Sequence, residues 1–382
     1  MQDLLTYFRA RQDDLIAATE RLVTYESFTA DKPRVDALIA VLEADLQALG
    51  AHLTHHPREE VGDILLAEWQ REAPGAPILM LAHVDTVWPP GTLADAVPLQ
   101  RDDHKLHGPG TVDMKAGIVI AIEAVHALQV RDEMPARPIR LLLTTDEETG
   151  SLHSRDLIVQ TAQDCCLSLV LEGSAEGESL KTSRKGNAKY WVTAQGKAAH
   201  AGLEPEAGVN AIIELAHQAI AVNALNDLRA GTSVTVSIFE GGGVANVVPA
   251  RAELFADVRY FSQDEAERID AAVRALEPAT FGATLAVRGG IERPPMERTA
   301  QTVRAMAQAQ RLAEGLGLPL GEAAVGGVSD GNYTAQAGIP TLDGLGASGA
   351  GAHALHEHIL TRSLPRRAAL VASILRDWDE SA

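Results

Sequence analysis

Carboxylates and imidazoles gather at a few points along this chain. His83 and Asp85 form His-x-Asp directly after an apolar run, and Asp113 sits in Gly108-Pro-Gly-Thr-Val-Asp113-Met-Lys-Ala-Gly117. Asp146, Glu147 and Glu148 are consecutive, and Glu172 closes another apolar run. Neutral imidazole and carboxylate oxygen are ligands that zinc takes, commonly with one position left open for chemistry. A ligating histidine donates its second ring N–H to a carboxylate, which gives Asp85 a task beside His83. Three successive carboxylates at the tip of a buried strand repel one another unless a cation neutralises them. Each signal also has a plain reading. Asp113 is equally what a helix N-cap would be, and a run such as Asp146 to Glu148 is ordinarily a solvated acidic turn. Taken together they suit two divalent ions about 3.5–4 Å apart, which need a bridging carboxylate and further ligands. Hydrolysis would also need a carboxylate base for the attacking water, and adjacent glutamates can divide the two jobs.

The elements that must position these groups alternate. Strands are expected over Asp63–Trp69 and Pro77–Ala82, a helix from Lys115 to Gln129, and a strand Ile139–Thr145. A helix over Ser154–Gln163 and a strand Cys166–Leu171 follow. Such alternation predicts an α/β fold, a mostly parallel sheet flanked by helices. The chemical clusters fall just after three of its strands, where such sheets hold their ligands. The pattern changes near Lys185. Strands over Ala188–Ala194, Ser233–Phe239, Val247–Tyr260 and Thr284–Arg288 interleave with helices Gly208–Leu225 and Gln263–Leu276. That βαββαβ order is a ferredoxin-like unit. Residues 185–293 are therefore expected as a domain inserted into a discontinuous catalytic one made of 1–184 and 294–382.

Composition bounds the partners. The 382 residues are 46% hydrophobic and 22% charged, an ordinary globular balance. No apolar stretch approaches the ~18 residues of a membrane span. The opening residues, up to Val23, read as one amphipathic helix without a secretory signal, so a cytoplasmic location is expected. A formal charge of −19 repels nucleic acid. The adjacent Cys165 and Cys166 suit a pair of small hydrophobes better than a strained bridge. In so acidic a chain, an anionic substrate would need a local arginine, whose fork matches a carboxylate.

The run Met80-Leu-Ala-His83-Val-Asp85-Thr-Val87, the loop Gly108–Lys115 and Thr145-Asp-Glu147-Glu148-Thr-Gly150 resemble the zinc-dependent carboxypeptidase and aminoacylase family. Its members include bacterial glutamate carboxypeptidase, aminoacylase and succinyl-diaminopimelate desuccinylase. The match continues through Gly196-Lys-Ala-Ala-His200-Ala-Gly202, Ala245-Asn246-Val-Val-Pro249 and Asp257-Val-Arg259-Tyr260. It ends with Gly326-Gly-Val-Ser-Asp330 and Gly351-Ala-His353-Ala-Leu-His356-Glu357. Motifs in this order cover most of the chain.

The resemblance implies two Zn2+ per chain, with Co2+ or Mn2+ as substitutes. His83 and Glu172 would hold one ion, Glu148 and His353 the other, with Asp113 bridging. Asp85 would orient His83, and Glu147 would be the general base. His200 would stabilise the oxyanion, in its own or a partner's site. Asn246 and Arg259 would contact the substrate carboxylate; Arg293, which precedes Pro294-Pro295 near the expected domain junction, is by its position a lesser candidate for the same task. Many members carry Asp at the Glu172 position; Glu is similar to the glutamate carboxypeptidase branch. Family spacing selects His353 over His356 and His358, which residue chemistry alone does not rank. Without the family, His200 reads as a surface histidine and Arg259 as half of a surface ion pair. His55, His56, His104 and His107 read as surface or structural. The expected reaction is cleavage of an amide next to a free carboxylate in a small peptide or N-acyl amino acid, by a carboxypeptidase of the glutamate carboxypeptidase type that releases a C-terminal amino acid; an aminoacylase acting on small N-acyl amino acids is the alternative. A metal-dependent binding protein without catalysis is the remaining alternative. The inserted domain is expected to act as a lid and to form a homodimer.

Overall fold

The structure, a computed structural model, describes residues 3–380. The chain divides into two compact units. The first takes the chain up to Ser183, then Arg298–Val325, then everything from Ser329; the second takes Arg184–Glu297 with Gly326–Val328.

The first unit is built on an eight-stranded sheet. Its order is His52–His56, Ile64–Trp69, Ile139–Thr144, Ile78–His83, Leu167–Val170, Thr341–Asp343, Leu180–Arg184 and Glu322–Val325. The four strands from Ile139–Thr144 to Thr341–Asp343 run parallel. Their neighbours on either side pair antiparallel. Every residue of Ile78–His83 and of Leu167–Val170 is buried, as expected when both faces of a parallel sheet are covered. Successive side chains divide between the faces. Ile78, Met80 and Ala82 join the larger core with the helices Ala116–Val130 and Ser363–Asp377. Leu79 and Leu81 pack with Ile158 and Tyr333 on the other side. The helix Ala116–Val130 approaches so closely that a Cβ on Gly117 would lie 2.0 Å from the carbonyl oxygen of Leu171. Only a glycine allows that contact, which fixes the helix start against the residue before Glu172.

A second, four-stranded sheet brings distant segments together in the same unit. His358–Leu360 pairs antiparallel with both Gly349–Ala350 and Lys105–His107, and Lys105–His107 pairs with Gln100–Arg101. The loop after residue 107 and the turn after residue 350 are thereby held side by side.

The amino-terminal region departs from expectation. Instead of one opening helix there are two, Leu4–Ala10 and Gln12–Val23, because Arg11 leaves helical geometry at φ −112°, ψ 18°. Its N–H bonds back to Phe8 O, which closes the first helix with a tight last turn. The helix Lys32–Ala48 and the edge strand His52–His56 were not anticipated. That helix carries an Asp31 N-cap and buries Val35, Leu38, Ile39, Leu42 and Leu46, three or four residues apart. Cys165 and Cys166 are both free thiols, the first buried and the second half-buried.

The second unit has the βαββαβ order: Gly186–Gln195, helix Ala211–Asn223, Ser233–Gly241, Arg251–Tyr260, helix Gln263–Arg274 and Thr284–Arg293. Its sheet is antiparallel throughout, ordered Ser233–Gly241, Arg251–Tyr260, Gly186–Gln195, Thr284–Arg293. Strand Arg251–Tyr260 alternates buried with less buried residues along its whole length, the mark of one covered face. The last strand runs five residues beyond its expected end at Arg288, through a register shift between Ile291 and Arg293. No helix among the described residues is long and apolar enough to cross a membrane.

Candidate metal centre

Three of the parallel strands deliver chemistry at their carboxyl ends. Strand Ile78–His83 ends on His83 itself, which stands in register with Thr144 of the neighbouring strand. Beyond Thr144 the chain turns through Asp146 into a single 3₁₀ turn, Glu147–Thr149, carrying both glutamates. Strand Leu167–Val170 is followed by Leu171 and Glu172. Asp113 comes from the loop that opens the helix Ala116–Val130, where the Asp113–Met114 peptide bond is cis. His353 comes from the turn between Gly349–Ala350 and His358–Leu360.

These groups meet. One oxygen of Asp113, Oδ1, lies 3.0 Å from His83 Nε2, and the other, Oδ2, lies 3.2 Å from His353 Nε2. Glu172 Oε1 is 3.7 Å from His83 Nε2, and Glu148 Oε2 is 3.0 Å from His353 Nε2. Potential ligand atoms of His83, Asp113 and Glu148 all fall within 4.8 Å of one another. The nearby His358 turns elsewhere: its Nδ1 meets the carbonyl of His356, and its ring packs on that of His107. His83 is almost fully buried at 1% side-chain exposure, whereas His353 is 52% exposed.

Asp85 does more than accompany His83. Its Oδ1 lies 3.4 Å from His83 Nδ1, and its carbonyl oxygen is 3.0 Å from the same nitrogen. The two carboxylate oxygens also accept the backbone N–H groups of Glu147 and Glu148, each at 3.3 Å. Thr29 donates its hydroxyl to Asp85 Oδ2 at 2.8 Å. One buried aspartate thus fixes the imidazole and the glutamate turn together. Thr29 carries no signal in the sequence, since a single threonine in a turn has no motif.

A protein-family model for peptidase family M20/M25/M40 matches residues 79–377. The chain belongs to that family. It is 32% identical over 386 residues to carboxypeptidase G2 of Pseudomonas sp. (strain RS-16), covering 97% of this chain and 91% of that protein. It is 28% identical over 365 residues to succinyl-diaminopimelate desuccinylase of Stenotrophomonas maltophilia (strain R551-3), covering 89% and 92%. Among solved structures, aminopeptidase PepT from Bacillus cereus ATCC 10987 superposes with a TM-score of 0.81 at 26% identity, over 96% of this chain and 98% of that one. This member of the M20/M25/M40 peptidases is a hydrolase of a metal-dependent family.

The residues present fit a metal. The donors are imidazole nitrogen and carboxylate oxygen, the set that suits zinc and its neighbours. Glu148 has a side chain only 5% exposed, and its Oε1 is buried with no hydrogen-bond partner. A buried carboxylate oxygen left unpaired is costly unless something cationic completes it.

The electrostatics of the cluster say the same. Burial alone would lower the His83 pKa, but Asp113, Asp85 and Glu172 lift it well above the usual histidine range. Asp113 and Glu148 push His353 up to about 10. Burial pushes Glu148 up to about 7 against the opposing pull of His353. Burial would raise Asp113, yet the two histidines hold it well below the usual carboxylate range. The protein's own side chains therefore bind protons where a cation would go.

In the second unit, His200 and Asn246 are held together. Residues His200 and Val247 form an antiparallel bridge, and Ala201 donates its N–H to Asn246 O at 2.9 Å. His200 Nδ1 accepts the N–H groups of Gly202 and Leu203, both at 3.1 Å. That leaves the ring proton on Nε2, pointing away from the loop backbone. Arg259 lies along its own strand against Asp257, Nε to Oδ1 at 2.9 Å and Nη2 to Oδ2 at 3.1 Å. Arg293 is buried at the end of its strand, beside the backbone of Asn187.

A cation held by His83, His353 and Glu148 would have to compete with protons there. Cation affinity should accordingly climb with pH, more gently once Glu148 has lost its proton above about 7, and up to about 10, where His353 titrates. Titration calorimetry at pH 7, in buffers of different ionisation enthalpy, should record between about two and three protons released per chain if zinc binds there. Uptake without proton release would mean that the cation binds elsewhere.

Proposed function

We propose that the chain is a two-zinc amidohydrolase that cleaves an amide bond next to a free carboxylate, releasing a C-terminal amino acid in the manner of a glutamate carboxypeptidase. One observation carries the reading: the two oxygens of Asp113 face two different histidines, beside a buried, unpartnered oxygen of Glu148. In this reading His83 and Glu172 would hold one ion, His353 and Glu148 the other, and Asp113 would serve both. Co2+ or Mn2+ would serve in place of zinc, since the donors are borderline to hard. Held there, such ions would supply a water of lowered pKa and polarisation of the scissile carbonyl.

The chain's own residues do the rest. Glu147, next to the ligand Glu148 on one short turn, takes the proton of the attacking water and passes it to the leaving amine. Asp85 holds both His83 and that turn in place. His200 donates its Nε2–H as charge develops on the carbonyl oxygen, so its help is selective for the transition state. Asn246 and Arg259 receive the substrate's carboxylate, with Arg293 the second candidate. The carboxypeptidase reading is favoured by the 32% identity to carboxypeptidase G2 over nearly the whole chain. An N-deacylase acting on small N-acyl amino acids is the second reading, supported by the desuccinylase relative.

A homodimer is part of the proposal. Strand Ser233–Gly241 lies at one edge of its sheet, with Ile238 and Phe239 exposed. The helix packed on it, Ala211–Asn223, exposes Ile213 and Ile220. Exposed apolar side chains on an open edge strand and on the helix packed against it are what a second copy would cover.

Glu147→Gln should keep its zinc while turnover falls by about three orders of magnitude. Run on a panel of dipeptides, acyl-glutamates and N-acyl amino acids, the wild-type chain should give its highest kcat/KM where glutamate leaves. A preference for small N-acyl groups whatever the amino acid would select the deacylase instead. Arg259→Ala should raise KM by about tenfold or more on substrates with a free carboxylate and leave amide-capped analogues unchanged. Equal losses on both would remove Arg259 from the substrate site. In sedimentation at micromolar concentration the wild-type chain should run as a dimer, and an Ile220→Glu, Phe239→Glu double variant as a monomer. A wild-type chain that sediments as a monomer would end the dimer proposal.

A further inference from the structure

Glu357 is fully buried, with 0% exposure, and its carboxylate is saturated with donors. Oε1 accepts the backbone N–H of Val112 at 3.0 Å and that of Asp113 at 3.3 Å. Oε2 accepts the N–H of Gly110 at 3.0 Å and the indole N–H of Trp88 at 2.7 Å. The Glu357 carbonyl adds a further bond from the N–H of Gly108.

The donors come from two chain segments, and each carries a group of the metal centre. Trp88 follows His83 and Asp85. Gly110, Val112 and Asp113 belong to the loop that presents Asp113. Glu357 itself ends the turn that begins with His353, a turn closed by its own N–H to the carbonyl of Ala354 at 2.9 Å. A buried carboxylate is stable only where it is so fully paired. The loop, in turn, has backbone N–H groups that its irregular geometry leaves without helical partners: Asp113 and Met114 lie outside helical φ/ψ. Each side therefore satisfies a need of the other.

We propose that Glu357 is the positioning residue of the metal centre. Its carboxylate clamps the Gly108–Lys115 loop to the His353 turn and to Trp88, so that Asp113 presents its two oxygens to His83 and His353 at once. It touches neither substrate nor metal and acts through Asp113. The inference rests on the metal-centre reading of the preceding section, and it adds a fixed spatial relation between three ligand-bearing segments.

The test compares the full-length wild-type chain with Glu357→Gln and Trp88→Phe. Glutamine keeps the size but loses the charge, and it turns an amide NH2 towards N–H donors. Zinc stoichiometry and affinity are read by competition with a chromophoric chelator, and the fold by circular dichroism and thermal melting. Glu357→Gln should fold yet bind zinc about ten- to a hundredfold more weakly. Trp88→Phe removes one donor of four and leaves the charge, so its loss should be several-fold smaller. A folded Glu357→Gln chain with wild-type zinc affinity overturns the proposal, because a merely structural carboxylate would change the melting temperature alone. Should Glu357→Gln fail to fold, amide hydrogen exchange on the zinc-stripped wild-type chain decides the matter. Slow exchange at Gly110, Val112 and Asp113 supports the clamp, and exchange at the rate of an open loop overturns it. A wild-type chain that binds no zinc overturns the metal-centre reading itself, and this inference with it.

Discussion

Asp85, Asp113, Glu148 and Glu172 converge on two imidazoles at the ends of buried strands, and carboxylates so crowded cannot all stay ionised without positive charge among them. The first unit is organised around that constraint. Protonated His83 and His353 supply positive charge from the protein itself, and Glu148 gives way by holding its proton to about neutral pH. Divalent cations would supply the charge more fully and release all three groups at once. The parallel sheet makes the crowding possible, because it ends three neighbouring strands at one level and leaves their tips free of helix.

Much of this was legible in the sequence because strand ends and chemical residues coincide there. His83, Glu148 and Glu172 each follow a run of apolar residues, and such runs mark strands buried on both faces. Asp113 was legible only through its glycine-rich loop, and His353 only through family spacing, since residue types alone do not rank it against His356 and His358. The structure gives a physical reason for choosing His353 over His358: His353 Nε2 faces both Asp113 and Glu148, while His358 packs on His107. Thr29 and Trp88 had no signal, because their roles depend on contacts 56 and 269 residues away along the chain. The break at Arg11 was hidden for a different reason. Apolar periodicity runs through it, and one residue's departure from helical geometry leaves no trace in the pattern.

The second unit shows how far sequence order alone can carry topology. Its βαββαβ order led to the four-stranded antiparallel sheet, since hairpin and crossover rules leave few other arrangements. Side-chain engagement was less legible. Arg259, an apparent anion receptor, lies in a bidentate pair with Asp257 two residues away on its own strand. A substrate carboxylate would have to compete with that pair, which favours ligands that bring additional contacts.

The two ends of the second unit have a consequence for how the chain folds. Arg184 and Met296 form an antiparallel bridge, each donating its N–H to the other's carbonyl at 3.0 Å. Once that unit has formed, its more than a hundred residues act as a short staple between the flanking segments. Loop-closure entropy grows only with the logarithm of loop length, and the staple removes most of even that. Contacts such as Trp88 with Glu357, 269 residues apart by sequence, are then much nearer neighbours along the effective path. The shortened path favours forming the insert before the turns that carry His353 and Asp113 meet, and it leaves an evolutionary freedom. The insert can lengthen, shorten or change its surface with little effect on the entropy of assembling His353 with Asp113.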